Sequence, residues 1–253
     1  MIYKEVDYSV MEGRDANILL SSLVIDMLFS SIIYIFYNSN IVSMLSMAIF
    51  FKPIKRYYTQ HIIRRRKEIL ELQFFEYLSI LKSNLQVGEN FLESNKKAKE
   101  SLKQNFEKNN FMRNEIEILL LKNNNGISIK DAFASFAKRS DLKSIQSFSK
   151  LYTIAATRTN RIEELVQETI DMMQEAFDKD KEINTLILEK KIELYILTVL
   201  PVFLILFFRL FSPVYYQTLY SSIFGRIVIT ISLALFALAQ ILARKIIGRI
   251  CDY

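Results

Sequence analysis

Two apolar stretches stand at each end of this chain, and nearly all the charge lies between them. Residues 52–191 carry 26 of the 33 Lys and Arg and 20 of the 27 Asp and Glu, and the flanks hold seven of each sign and cancel. A chain that is 51% hydrophobic and 24% charged is too apolar to stay disordered and too charged to lie wholly in lipid. Segregation resolves the conflict: the ends suit lipid and the middle suits water. Five Gly and three Pro are few for 253 residues. Sheet proteins need turns, and turns use those residues, so the scarcity predicts long helices.

The first apolar segment covers residues 17–37, and about 20 residues suffice to cross a bilayer core. Tyr34 and Tyr37 close it, where amphipathic rings prefer the interface. It is too long for the apolar core of a secretory signal, and reads as an uncleaved anchor. Asp26 lies midway along it, where a charge is costly and usually faces other protein. Either it makes a polar contact with another span, subunit or substrate, or it stays a neutral carboxyl, or the helix shifts its register. The second segment, residues 41–54, is weaker. Its apolar run ends at Phe51, and eleven residues rise only about 16 Å as a helix. Snorkelling Lys52 and Lys55 extend it to a span; the alternative is an interfacial helix. Segments three (193–212) and four (223–246) are long enough to cross. Pro201 removes a backbone hydrogen bond within segment three and predicts a kink. The stretch 212–226 between them reads as a short Tyr-rich loop.

Lys and Arg flank the charged middle and follow segment four: Arg64, Arg65, Arg66 and Lys67; Lys190 and Lys191; Arg244, Lys245 and Arg249. The loops 38–40 and 213–222 carry no charge. The positive-inside rule then places both termini and the middle in the cytoplasm. The expected organisation is three parts: an N-terminal membrane region 1–55, a cytoplasmic helical bundle 56–191 and a C-terminal membrane region 192–253. The fold class is all-α, with transmembrane helix pairs flanking the bundle.

In the middle, Ile69, Leu72, Phe75, Leu78, Leu81 and Leu85 recur at three and four and predict one apolar stripe. Further helices are expected near 90–105, 111–122, 129–138 and 142–157. The last begins near 162, with Leu165, Val166, Ile170, Met173 and Phe177 on one side, and no breaker separates it from segment three. A weak repeat punctuates these helices. A turn precedes an apolar residue at Gly88 (then Phe91), at Gly126 (then Ile129) and at Asn160 (then Ile162). Gly88 and Gly126 suit the left-handed conformation that ends a helix, and Asn160 tolerates it. Ser128 with Asp131 reads as a capping-box-like start.

This order of turns and spans resembles the type II secretion system F family, in particular the shorter Tad/Flp-pilus platform proteins (TadB and TadC). The matching stretches are Leu85-Gln86-Val87-Gly88-Glu89-Asn90-Phe91 and Gly126-Ile127-Ser128-Ile129-Lys130-Asp131-Ala132-Phe133. A third family turn, Thr-Gly-Gly-Asn-Leu, here reads Arg158-Thr159-Asn160-Arg161-Ile162 and lacks both glycines. Leu200-Pro201 fits the family's Pro-containing span. The resemblance covers about 60–250. It implies a multi-pass platform in the cytoplasmic membrane that couples a cytoplasmic secretion or pilus ATPase to pilin insertion or extraction. It further implies a homo- or hetero-oligomer, often with a paralogous platform partner, and hydrolysis in the partner ATPase.

The residues themselves point away from catalysis. One His and one Cys leave no disulfide framework, no Cys/His zinc cluster and a poor basis for a Ser-His-Asp site. No phosphate-binding glycine pattern occurs. The sequence therefore predicts no enzyme, no cofactor and no metal. The run Arg64–Lys67 suits anionic headgroups or, as the alternative, the acidic face of a partner; no aromatic-interleaved platform accompanies it, so nucleic acid is not expected as a partner. The acidic series Glu163, Glu164, Glu168, Asp171, Glu175 and Asp178 is either a solvated helix face or a contact for the ATPase, with Glu164, Glu168 and Asp171 at its centre. Two rival readings stand: a small transporter or channel subunit, which would show solute flux, and a membrane-anchored signalling protein, which would need a larger outer region.

Overall fold

A computed structural model describes residues 5–8, 15–37, 39–106, 110–155 and 161–251. Among these residues every regular element is an α-helix: α1 (Asp15–Tyr37), α2 (Asn40–Gln86), α3 (Phe91–Asn105), α4 (Phe111–Asn124), α5 (Ile129–Ser140), α6 (Lys143–Ala155), α7 (Arg161–Phe211), α8 (Pro213–Ser221) and α9 (Ile223–Cys251). The chain divides into two compact units. One holds residues 1–14 and 59–176, the other 15–58 and 177–253. Helices α2 and α7 each contribute to both. Asn160, the third turn position, lies outside the described residues.

The 59–176 unit is a helical bundle in which α3 packs on α4, α4 on α5, and α5 on α6. Side-chain contacts set its levels. The Met112 amide donates to Gln73 Oε1 at 3.1 Å, so α4 starts beside the second half of α2. Lys67 meets Asp141 at 2.7 Å where α5 ends, and Ser144 donates to Glu71 at 2.8 Å where α6 starts. Helices α4 and α6 therefore run in the same sense as α2, and α5 runs back. The core that results is aromatic: Phe74, Phe133 and Phe148 are fully buried, with Tyr77 and Tyr152 beside them. Burial pushes the Tyr152 hydroxyl up to about 12.

The stripe on α2 differs from the sequence expectation. Leu78 and Leu81 are buried as expected, but Ile69 and Leu72 are exposed, and the buried series is Leu70, Gln73, Phe74, Tyr77, Leu78 and Leu81. This stretch is apolar on two faces, so periodicity alone did not choose between registers. The buried polar member, Gln73, is used by the Met112 amide. On α7 four of the five expected residues are buried, Leu165, Val166, Ile170 and Met173, and Phe177 is half-buried.

Both glycine turns close their helices in the same way. Glu89 N donates to Asn84 O and Gly88 N to Leu85 O; Ile127 N donates to Lys122 O and Gly126 N to Asn123 O. These six-to-one and five-to-two bonds make a Schellman closure, which requires a left-handed residue. Gly88 has φ +89° and Gly126 φ +83°. The next helices start on side-chain caps, Asn90 accepting from Glu93 N and Ser128 from Asp131 N. A Cβ built at either glycine meets nothing within 4 Å. Gly88→Ala and Gly126→Ala should therefore each lower stability by about 1–2 kcal/mol through backbone strain alone, and Asn at either site by less. Thermal unfolding of the purified chain in detergent measures this difference.

The second unit comprises α1, the start of α2, the end of α7, α8 and α9. Helix α7 alone, among the described residues, is long and apolar enough to cross a membrane, with a window of mean hydropathy 2.4. Shorter apolar stretches cover Ile18–Tyr34 in α1 and Ile223–Phe236 in α9. Leu20, Met27, Ile41, Phe203, Phe211, Ile223 and Leu235 are all exposed, far more apolar surface than a soluble domain presents. Helices α1 and α2 meet through reciprocal bonds: Ser30 Oγ donates to Ser43 O at 2.9 Å and Ser43 Oγ to Ser30 O at 3.2 Å. Small hydroxylated residues let helices in lipid approach and bond in this way. Phe29 and Phe50 pack edge-on at 5.1 Å beside them.

Three further features bear on expectations. The helix that carries the apolar run 41–51 does not end at Pro53: α2 continues through it to Gln86. Helix α7 likewise continues through Pro201. The stretch 212–226 is not a simple loop. Residues 213–221 form α8, with Pro213 at its start, where a missing N–H costs nothing.

Candidate functional site

The two glycine turns lie at the same end of the bundle. Phe91, at the start of α3, is 6.3 Å from Phe133 near the start of α5, and 5.1 Å from Tyr152 near the end of α6. Phe133 and Tyr152 are 5.4 Å apart. This ring cluster fixes the end where α2, α4 and α6 terminate. Two aliphatic side chains protrude beside the turns: Val87, 82% exposed, and Ile127, 42% exposed. Helix α7 begins at Arg161, six residues after Ala155, so at most about 20 Å of chain separates the two.

The acidic series occupies the outer face of α7. Glu163, Glu164, Glu168, Asp171 and Glu175 are exposed, while Leu165, Val166, Thr169 and Ile170 between them are buried. Glu163 and Glu164 sit in the first turn, where negative charge suits the helix dipole. Gln167 Nε2 donates to Asp171 Oδ1 at 2.7 Å. The structure thus presents a carboxylate-rich ridge with an apolar underside.

Asp26 is elsewhere. It is buried in the second unit on a line of Ile18, Ser22, Asp26 and Ser30, spaced by four. Its carboxylate oxygens have no hydrogen-bond partner among the described residues. Pro201 is half-buried within α7. Both belong to the unit that does not hold the turns.

Sequence reasoning missed one constellation. Glu115 on α4 and Arg139 on α5 form a buried bidentate pair: Arg139 Nη1 donates to Glu115 Oε1 at 2.9 Å and Nη2 to Oε2 at 2.7 Å. Residues 5–8 close over it. Tyr8 is 2% exposed, donates its hydroxyl to Glu115 Oε1 at 3.0 Å and packs edge-on against Phe111 at 5.8 Å. Tyr8 N donates to Arg139 O at 3.1 Å, and Arg139 Nη1 to Val6 O at 3.0 Å. Glu5 pairs with Lys122 and lies 3.3 Å from Arg139 Nε. Burial, and then the charge of Glu115, push the Tyr8 hydroxyl far above the usual tyrosine range. Burial opposes the charge on Arg139, but the hydrogen bonds and charge of Glu115, with the charge of Glu5, outweigh it and raise its pKa. The signal was present in the sequence. Glu115 shares a face with Met112, Ile116 and Leu119, and Arg139 with Ala132 and Phe136, so each charge sits on an apolar stripe.

The hydrogen bond from Lys122 lowers the pKa of Glu5, against burial, and the charges of Arg139 and Lys122 lower it further. A carboxylate depressed in this way stabilises docking above its ordinary value and ceases to as pH falls through the lowered one. Docking of residues 5–8 should therefore hold from neutral pH down to about 4.5 and weaken below it. The protection factor of the Tyr8 amide in hydrogen exchange reports this; pH-independent protection to pH 3 would contradict it.

Among the described residues no group of His, Cys, Asp and Glu is placed to hold a metal ion. No curated protein and no solved structure matches the chain. The family model for type II secretion system protein F matches residues 79–208, from the second half of α2 through the bundle and into the apolar part of α7. That match covers just over half of the chain, and it takes in both glycine turns, the ring cluster and the acidic ridge: the chain belongs to the type II secretion system protein F family, whose members are inner-membrane platform proteins of secretion and type IV pilus machines.

Proposed function

We propose that this chain is the platform protein of a Tad/Flp-type pilus or related secretion machine, and that it couples a cytoplasmic ATPase to insertion or extraction of pilin. The observation that carries the reading is the family match over 79–208. The order of turns and apolar segments, which resembles that of the Tad/Flp platforms, supports that branch. In this reading the apolar helices form a membrane pair on each side of the bundle, with both termini in the cytoplasm. The Lys and Arg flanking the apolar segments support that orientation. The protein works as an oligomer, with itself or with a paralogous platform. It hydrolyses nothing; the ATPase does the chemistry.

The ATPase contact is assigned to the turn-bearing end and the adjoining ridge of α7. Val87 and Ile127 supply apolar anchors, and Glu164, Glu168 and Asp171 supply charge that speeds encounter with a basic partner. Replacing the three acids together by Lys should leave the fold intact, because exposed substitutions usually shift stability by no more than about 0.5 kcal/mol. The ATPase co-purifying with the chain should fall at least tenfold, about 1.4 kcal/mol of binding, and piliation should fall with it. Unchanged recovery of the ATPase with the triple variant would remove this face from the interface. No recovery even with the unaltered chain, together with solute flux by the reconstituted protein, would overturn the platform reading itself.

A further inference from the structure

Residues 5–8 sit on the bundle as a ligand sits in a site. They lie along the groove between α4 and α5, with Tyr8 at the Phe111–Glu115 level and Glu5 at the Lys122 level. The fit is metric. Three steps of extended chain cover about 10 Å. Seven residues of helix, from Glu115 to Lys122, rise about 10.5 Å. The main chain is read at two alternate residues, the Val6 carbonyl by the Arg139 guanidinium and the Tyr8 amide by the Arg139 carbonyl. The side chains are read at the ends, an acid by Lys122 and Arg139 and a tyrosine by Glu115 and Phe111. Main-chain bonds with alternating side-chain pockets are how extended peptides are recognised.

The site does not need the segment in order to exist. Glu115 and Arg139 satisfy each other bidentately across α4 and α5, and Lys122 also bonds Ser135 at 3.1 Å. The aromatic core of Phe74, Phe133, Phe148 and Tyr152 involves none of residues 5–8. None of these pairings involves residues 5–8, so Phe111, Glu115, Lys122 and Arg139 line the groove on helices α4 and α5 alone.

We propose that the α4–α5 groove is a binding site for a Glu-x-x-Tyr peptide, and that its occupant is the N-terminal segment of the same chain, docked reversibly. A tethered ligand acts at a local concentration in the millimolar range, so the chain's own segment holds the site at rest.

The test uses the full chain lacking only residues 1–9, in detergent, and a fluorescent peptide of residues 1–10. The peptide should bind saturably to the shortened chain and at least tenfold more weakly to the intact chain, whose own segment competes. Peptides carrying Tyr8→Ala or Glu5→Lys should bind at least tenfold more weakly, and Lys122→Glu in the shortened chain should restore binding of the Glu5→Lys peptide. Absence of binding to a shortened chain whose bundle melts normally would overturn the proposal. So would unfolding of the bundle on shortening, since the segment would then be a fixed part of the core. ATPase co-purification by the shortened chain tests the platform reading separately.

Discussion

Replacing Arg139 by Met alone is expected to destabilise the bundle by about 3–5 kcal/mol, whereas replacing Arg139 by Met and Glu115 by Leu together costs far less. The reason is the asymmetry of buried charge. The Arg139 side chain is 13% exposed and that of Glu115 2%. Bringing the pair out of water is expensive, and its bidentate geometry recovers the cost only while both partners are present. With Arg139 gone, Glu115 keeps one hydrogen bond, from Tyr8, and no compensating charge from α5. With both gone, two apolar side chains fill a site already lined by Met112, Ile116 and Phe136. Urea unfolding in detergent reads the result. At about 2 kcal/mol per molar, the single variant should lose roughly 2 M in its midpoint. A double variant as unstable as the single would show that the loss comes from packing and not from unpaired charge.

The same pair marks the limit of what the sequence made legible. Helix positions, both glycine turns and the Ser128 cap followed from local chemistry, because a Schellman closure and a side-chain cap are written in adjacent residues. The buried side of α7 followed from periodicity because its opposite side is carboxylate. Helix α2 was less legible because both its faces are apolar, and only its neighbours decide that Phe74 and Tyr77 go inward and Leu72 outward. The contact of residues 5–8 with Arg139 spans more than 130 positions and has no local signature beyond a charge on an apolar stripe. Helix α8 was hidden because Tyr, Ser and Pro suit turns as well as a short helix that begins on proline. The acidic ridge was legible as a pattern, but its carboxylates look the same whether they meet water or a partner.

Phe133→Ala is expected to cost about 3–5 kcal/mol by a different route, through lost burial and an unfilled cavity. Phe133 is fully buried and touches three rings: Phe148 at 5.2 Å, Tyr152 at 5.4 Å and Phe91 at 6.3 Å. Phe148 in turn meets Phe74 edge-on at 5.6 Å, so the cluster joins α2, α3, α5 and α6. Ring pairs in such geometry contribute about 0.5–1.5 kcal/mol each beyond burial, so Phe133→Leu, which refills most of the volume, should still cost about 1–2 kcal/mol. The two severe variants separate by place. Loss of Arg139 acts where residues 5–8 dock; loss of Phe133 acts between the starts of α3 and α5, beside both glycine turns. Hydrogen exchange at the Gly88 and Gly126 amides should accelerate in Phe133→Ala well before global unfolding, and in Arg139→Met only with it. If the turn-bearing end is the surface that meets the ATPase, Phe133→Ala should weaken that contact at temperatures where the bundle is still folded, and Arg139→Met should not. Equal protection of the two turn amides in both variants would mean that the ring cluster does not hold this end in place.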